Sequence, residues 1–221
     1  LTAAHGIATT LAGEAVELLA ERALYWPRER TLFVADVHLG KAAAFRAGGV
    51  PIPRGATASD LERLSALLAR TGATRLVVLG DFLHAPSGRV PALDAAFRAW
   101  RERHRSLALL LVRGNHDARA GDPVPDWKVT VVAEPYLAAP FLLCHEPHVP
   151  PAGYALCGHV HPGVRIADDR DAARLPCFVL GRRRALLPAF GRLTGLALVA
   201  PRPNERIVAI AGTRVFALPS A

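Results

Sequence analysis

The stretch Thr31-Leu32-Phe33-Val34-Ala35-Asp36-Val37-His38 decides how the rest of the chain is read. An unbroken apolar run, Leu32 to Ala35, suits a strand buried on both faces. The carboxylate and imidazole that follow it stand where open α/β sheets place their ligands, just past a strand's C-terminal end. Outward from this stretch the pattern repeats. Arg75 to Leu79 leads into Gly80-Asp81, Leu107 to Val112 into Gly114-Asn115-His116-Asp117, Tyr136 to Cys144 into His145-Glu146, and Tyr154 to Cys157 into Gly158-His159-Val160-His161. The candidate metal ligands are therefore Asp36, His38, Asp81, Asn115, His145, His159 and His161. A lone Asp-x-His or Gly-Asp is usually a loop or capping feature; this ordered series, nearly every member behind an apolar run, is not. Oxygen and imidazole donors without thiolate suit a pair of divalent cations such as Mn²⁺, Zn²⁺ or Fe²⁺ better than Ca²⁺ or a Cys-bound structural zinc.

Between these strands the sequence turns helical. Thr57-Ala58-Ser59-Asp60 reads as a capping box with Asp in the Glu position, and Leu61, Leu64, Leu67 and Leu68 form the apolar face of a helix that ends near Gly72. Pro91 to about Arg105 predicts a second helix with Leu93, Ala96, Phe97 and Trp100 inward and Arg98, Arg101, Arg103 and Arg105 on a solvated face. Val16 to Leu19 and Arg22 to Trp26 read as early strands, and Gly48 to Gly55 as a loop. The alternation of strand and helix argues for parallel β-α-β units. From Trp127 onward helical periodicity disappears. Val129 to Ala133, Cys177 to Leu180 and Ile207 to Ala211 join Tyr136 to Cys144 and Tyr154 to Cys157 as expected strands of a second sheet packed on the first.

At 221 residues the chain suffices for one α/β domain spanning 1–221, the expected organisation. With 51% hydrophobic and 21% charged residues, neither disorder nor a membrane span is indicated. No signal peptide is apparent, and the absence of Met points to a trimmed native N-terminus. Cys144, Cys157 and Cys177 lack a Cys-x-x-Cys spacing and read as buried thiols of a cytoplasmic protein. The formal net charge is +8, and Lys41 and Lys128 are the only lysines, so arginine carries almost all of it. Arginine binds phosphate oxygens bidentately, which favours a phosphate-rich partner; codon bias in an Ala-, Arg-, Gly- and Pro-rich chain is the competing explanation.

From about Thr31 to His161 the order and spacing of these motifs resemble the calcineurin-like metallophosphoesterase superfamily. Six strings extend the likeness over nearly the whole chain: Asp36 to Arg46, Arg113 to Asp117, His145-Glu146-Pro147, Gly158 to Pro162, Leu175 to Phe178, and Leu187-Pro188-Ala189-Phe190-Gly191. These are similar to the bacterial ligase-associated DNA damage response endonuclease family. The resemblance implies an α/β sandwich of two sheets flanked by helices. It also implies two cations, most often Mn²⁺, bridged by Asp81, with Asp36, His38 and His161 completing one site and Asn115, His145 and His159 the other. His116 would then protonate the leaving oxygen or stabilise the transition state, a task suited to a group titrating near neutral pH. His84 breaks the Gly-Asp-x-x-Asp-Arg pattern of protein phosphatases and resembles instead the phosphate-contacting histidine of a repair nuclease; the plainer alternative is an exposed loop residue.

The activity implied is hydrolysis of DNA phosphodiesters, as a single-strand endonuclease of DNA repair, with single-stranded DNA as the partner and no membrane. The alternatives are a phosphodiesterase or phosphomonoesterase for nucleotides or other small substrates, and a non-catalytic interaction module. Lys41, Arg46 and the run Arg182-Arg183-Arg184, the last expected near the metal-bearing half, are candidate phosphate contacts, though each taken singly reads first as ordinary surface or an internal ion pair and is given no catalytic role.

Overall fold

A computed structural model describes residues 5–167, 172–200 and 202–219. The chain runs through β1 (Gly6–Leu11), β2 (Glu14–Leu19), β3 (Ala23–Trp26), β4 (Thr31–Val34), α1 (Lys41–Ala47), α2 (Ala56–Thr71), β5 (Arg75–Leu79), α3 (Pro91–Arg103), β6 (Ala108–Val112), α4 (Asn115–Ala120) and β7 (Thr130–Val132). It continues through β8 (Tyr136–Ala138), β9 (Phe141–Cys144), β10 (Tyr154–Cys157), β11 (Pro162–Ala167), β12 (Ala172–Leu180), β13 (Arg184–Leu186), β14 (Ala197–Leu198), β15 (Arg206–Ala211) and β16 (Arg214–Ala217).

Two mixed sheets result. The first has the order β1-β2-β3-β4-β5-β6-β7, antiparallel through β4 and parallel from β4 to β7. The second has the order β14-β11-β12-β13-β10-β9-β8, with β15 pairing β12 and β16 pairing β15; β9, β10 and β13 run parallel in its middle.

Strand alternation splits each apolar run between two cores. Phe33, Val77, Leu79, Leu110 and Val112 face the second sheet and meet Phe141, Leu143, Leu156 and Phe178. Leu32, Val34, Leu76, Val78, Leu109 and Leu111 point the other way, onto Leu61, Leu64, Leu67 and Leu68 of α2 and Phe97 and Trp100 of α3. This double coverage explains why β4, β5 and β6 read as continuous hydrophobic runs. The outer face of the second sheet carries a smaller core that includes Cys144, Cys157 and Cys177, all buried and free.

Several expectations need correction. The capping box at Thr57–Asp60 does not form: α2 starts at Ala56 behind Gly55 in the left-handed region (φ 104°), and Asp60 turns inward to Arg63, 3.3 Å away. Arg101 is not on a solvated face. Only 7% exposed, it donates to the carbonyls of Trp127 (3.0 Å), His104 (2.9 Å) and Leu107 (3.2 Å), tying the C-terminal end of α3 to the chain on either side of β6. Tyr136 to Cys144 is a hairpin of two strands broken at Ala139-Pro140, because proline cannot extend the ladder. The sequence reading also passed over β1, α1, α4, β11, β13, β14 and β16.

Candidate metal centre

Five of the parallel strands, β4, β5 and β6 of the first sheet and β9 and β10 of the second, end in polar residues at the same edge of the sandwich. Asp36 and His38 follow β4, Asp81 follows β5, Asn115 follows β6, His145 follows β9, and His159 and His161 follow β10. All seven sequence candidates come together there. The chain must bend sharply to aim them: Asp36 (φ 53°), His38 (50°), Asp81 (51°), His159 (68°) and His161 (51°) all occupy the left-handed region, costly for residues with a Cβ. Glycines supply the room. A Cβ on Gly80 would strike the His145 ring, and one on Gly114 would strike Asp81.

Backbone hydrogen bonds lock the loops to one another. Asp36 N–H donates to the Gly80 carbonyl (3.1 Å), His38 N–H to Asp81 (2.8 Å) and Leu39 N–H to Phe82 (2.8 Å). The Asp36 carboxylate accepts the His159 N–H at 3.0 and 3.1 Å, joining the two sheets at the centre. Leu187–Gly191 crosses from the second sheet to the same place. There Phe190 N–H donates to Ala35 (2.7 Å), Gly191 N–H donates to Asp36 (3.1 Å), and the Arg63 guanidinium stacks 3.8 Å over the Phe190 ring. Asp117 is wholly buried and accepts the N–H groups of Leu83 (2.8 Å), Gly114 (3.0 Å) and Phe82 (3.2 Å), so its work is to hold two of the loops. Sequence reasoning missed Glu134. Its carboxylate accepts the His145 (2.5 Å) and Glu146 (2.9 Å) N–H groups, a role that no pattern in Ala133-Glu134-Pro135 announces.

The seven candidates supply two groups that could hold metal ions, Asp36, His38 and His161, and Asp81, His145 and His159, and His38 forms a third with His84 and His116, each with its ligand atoms within 4.8 Å of one another. Their hydrogen-bond chemistry fits a cation. His145 Nδ1 faces the Leu79 carbonyl at 3.2 Å, which assigns the proton to Nδ1 and leaves Nε2 a bare acceptor. That Nε2 lies 2.9 Å from Asn115 Oδ1 and 3.4 Å from Asp81 Oδ1, so three lone-pair donors converge with no proton between them. His38 and His161 bring their Nε2 atoms within 3.4 Å, and His161 Nε2 is 3.5 Å from Asp36 Oδ1. Burial, with the charges of Lys41, His116, His161 and His84 adding to it, drops the His38 pKa to about 2, so its imidazole is neutral, as a ligand must be.

Two further histidines stand on the rim. The ring of His116 stacks on that of His84, 4.8 Å between centroids, and its Nδ1 reaches the His84 carbonyl at 2.7 Å. This places His116 Nε2 toward the centre, 3.9 Å from Asp81 Oδ2. His84 is partly buried, with Nδ1 3.4 Å from His38 Nδ1, so it is not a loose loop residue. Burial first, then Lys41 and His116, lower its pKa to about 4.

The arginine run lies elsewhere, correcting the expectation that it sits near the metal-bearing half. The Arg183 carbonyl accepts the Ala155 N–H at the start of β10, whereas His159 follows that strand's far end. Arg184 pairs with Glu205 at 3.2 Å, and Arg182 and Arg183 are exposed. Arg46 is occupied with the Ile52 and Pro53 carbonyls, at 3.2 and 3.5 Å.

A two-sheet sandwich whose parallel strands deliver buried carboxylates and several imidazoles to one edge defines a metal-dependent hydrolase. No protein-family model and no curated protein matches the chain. Among solved structures it is similar to the nuclease MPE of Pseudomonas putida, with 43% identity, a TM-score of 0.85, and coverage of 96% of this chain and 100% of that one. The E. coli phosphoesterase Yfce is far more distant, at 17% identity and a TM-score of 0.38 over 81% of this chain and 86% of that one. The chain belongs to the metallophosphoesterase family of the Pseudomonas nuclease.

Proposed function

We propose that this protein is a dinuclear-metal phosphodiesterase that cuts DNA, single strands in preference to duplex, in repair, with Mn²⁺ as its working metal. The carrying observation is the convergence of Asp36, His38, Asp81, Asn115, His145, His159 and His161 at one edge, with His116 directed into the same space. Asp81 reaches both groups, its Oδ1 3.4 Å from His145 Nε2 and its Oδ2 3.8 Å from His38 Nε2, and is assigned the bridge. Bound there, two divalent cations would activate water and neutralise charge on the phosphoryl oxygens.

The protein's own groups do the rest. With its Nδ1–H donating to the His84 carbonyl, His116 presents Nε2 to the leaving oxygen; in its doubly protonated form it transfers the Nε2 proton there and keeps the Nδ1 proton as the neutral ring. His84, neutral at working pH, donates a hydrogen bond to a non-bridging phosphate oxygen. Substrate as DNA is supported by the +8 charge and by the nuclease relative. A flexible strand can lead its phosphate down to the buried Asp36, Asp81 and His145, where a stiff duplex would have to deform.

The test is hydrolysis of single-stranded DNA, duplex DNA and a small aryl phosphodiester, each with Mn²⁺ and with EDTA. Metal-dependent cutting fastest on single strands is the expected outcome. A protein that hydrolyses the aryl diester but leaves single-stranded DNA intact at low salt is a small-substrate phosphodiesterase instead.

A further inference from the structure

One cation beside the centre has no partner assigned. Lys41 opens α1 three residues after His38, behind Gly40 in the left-handed region (φ 81°). Its position is fixed from below: Gly40 and Gly88 pack backbone to backbone so closely that a Cβ on either would strike the other's carbonyl. The side chain turns back toward the metal-ligand loops. It lines a small cavity with His38, Thr57, Asp60 and Gly191, and its ammonium lies 5.8 Å from the centroid of the Phe45 ring, one helical turn along α1. Phe45 in turn meets His84 edge-on at 5.9 Å, so Lys41, Phe45 and His84 form one continuous wall of the site. The ammonium feels the carboxylates of Asp81 and Asp36, yet among the described residues it makes no hydrogen bond or ion pair.

Charge balance says what would satisfy it. Two divalent cations exceed the charge of the Asp36 and Asp81 carboxylates, so a loaded centre leaves the half-buried ammonium in a net positive field. An anion set between them would make that arrangement favourable. We propose that Lys41 is a phosphate-binding residue of this site, its ammonium steadied over the Phe45 ring and contacting a non-bridging oxygen of the scissile phosphodiester. The assignment rests on the phosphodiesterase reading above and adds to it the group that separates a phosphate from a neutral ester. Lysine acts here as a point charge, so reach matters more than bidentate geometry.

The experiment is calorimetric titration of inorganic phosphate into the two-metal protein, with metal content measured on the same samples. Lys41→Ala and Lys41→Met, the latter keeping an apolar stem over Phe45, should each weaken phosphate binding by about 10- to 100-fold, the range of a charge-assisted hydrogen bond, with metal content unchanged. Lys41→Arg should retain most of the affinity, and KM for a small aryl diester should rise in step with the phosphate dissociation constant. Unchanged phosphate affinity in both neutral variants would overturn the proposal, and so would loss of metal in both, which would make Lys41 a support for the metal loops. If wild-type protein binds phosphate through Lys41 but hydrolyses no phosphodiester, the functional reading fails while the Lys41 assignment stands.

Discussion

At one edge of the sandwich the chain leaves β4, β5, β6, β9 and β10 through Asp36, Asp81, Asn115, His145 and His159; near the start of β10 it turns through Arg182 and Arg183, close to Ala12 and Asn204. The first edge is backbone-strained and cross-bonded between the two sheets, with Asp36 and His145 fully enclosed and His159 exposed at its mouth. The second is an open cleft of about 570 Å³ lined by Arg182, Arg202 and Arg206, whose exposed side chains meet water. Positive charge alone would place a phosphate ligand at the second edge. Parallel strand direction places the chemistry at the first, because only there do neighbouring strands end side by side.

The sharpest way to break this contrast is Asp81→Ala. Removing the residue that reaches both ligand groups should take hydrolysis of every substrate below detection and lower the bound metal. Near-normal turnover with two metals retained would remove Asp81 from the bridge. His116→Ala comes next. Turnover should fall by about 10²- to 10⁴-fold with metal content intact, and a nitrophenolate leaving group should restore part of it, since that group needs no proton.

Acid should reveal the same asymmetry in stability. The folded pKa values of His84, about 4, and His38, about 2, lie below the ordinary histidine value of 6.5. Above that value both folded and unfolded chains are neutral at these positions and nothing is lost. As pH falls the unfolded chain takes up protons first, so the metal-free protein should lose stability from pH 6.5 downward, the His84 contribution ending near pH 4. Melting curves of wild type and His84→Ala over that window should converge as pH falls; parallel curves would mean His84 is not held neutral. The smallest effect belongs to the far edge. Arg182→Ala with Arg183→Ala should leave aryl diester hydrolysis and phosphate affinity within about twofold of wild type, as for exposed charges elsewhere. A large loss would bring the substrate around to the second edge.

How much of this was legible in the sequence depended on what covers each element. In the first sheet, helices on one face and a second sheet on the other force β4, β5 and β6 to be apolar throughout, and α2 shows its leucine stripe, so both could be read directly. The candidate ligands stood out for a related reason, since nearly every motif abuts a recognisable run. Helix α1 was not, because it buries only Ala42 and its small residues make no stripe. Arg101 looked solvated because its guanidinium satisfies backbone carbonyls that no sequence pattern displays. The position of Arg182 and Arg183 needed the register of β13 against β10, which depends on pairing between distant segments.

The left-handed backbone at the candidate ligands carries a consequence for protein engineering. Alanine is normally the safer replacement and glycine the destabilising one, because glycine loosens the unfolded chain. At His159 (φ 68°) and His161 (φ 51°) that order should reverse: measured without metal, His159→Gly should melt above His159→Ala, by the few degrees that about 1 kcal/mol represents. Such an inversion would mark these as places where the fold tolerates an unfavourable conformation to keep a donor atom aimed. A library seeking thermostability without regard to activity would be drawn to exchange them first, and selection for heat resistance alone would erode the centre.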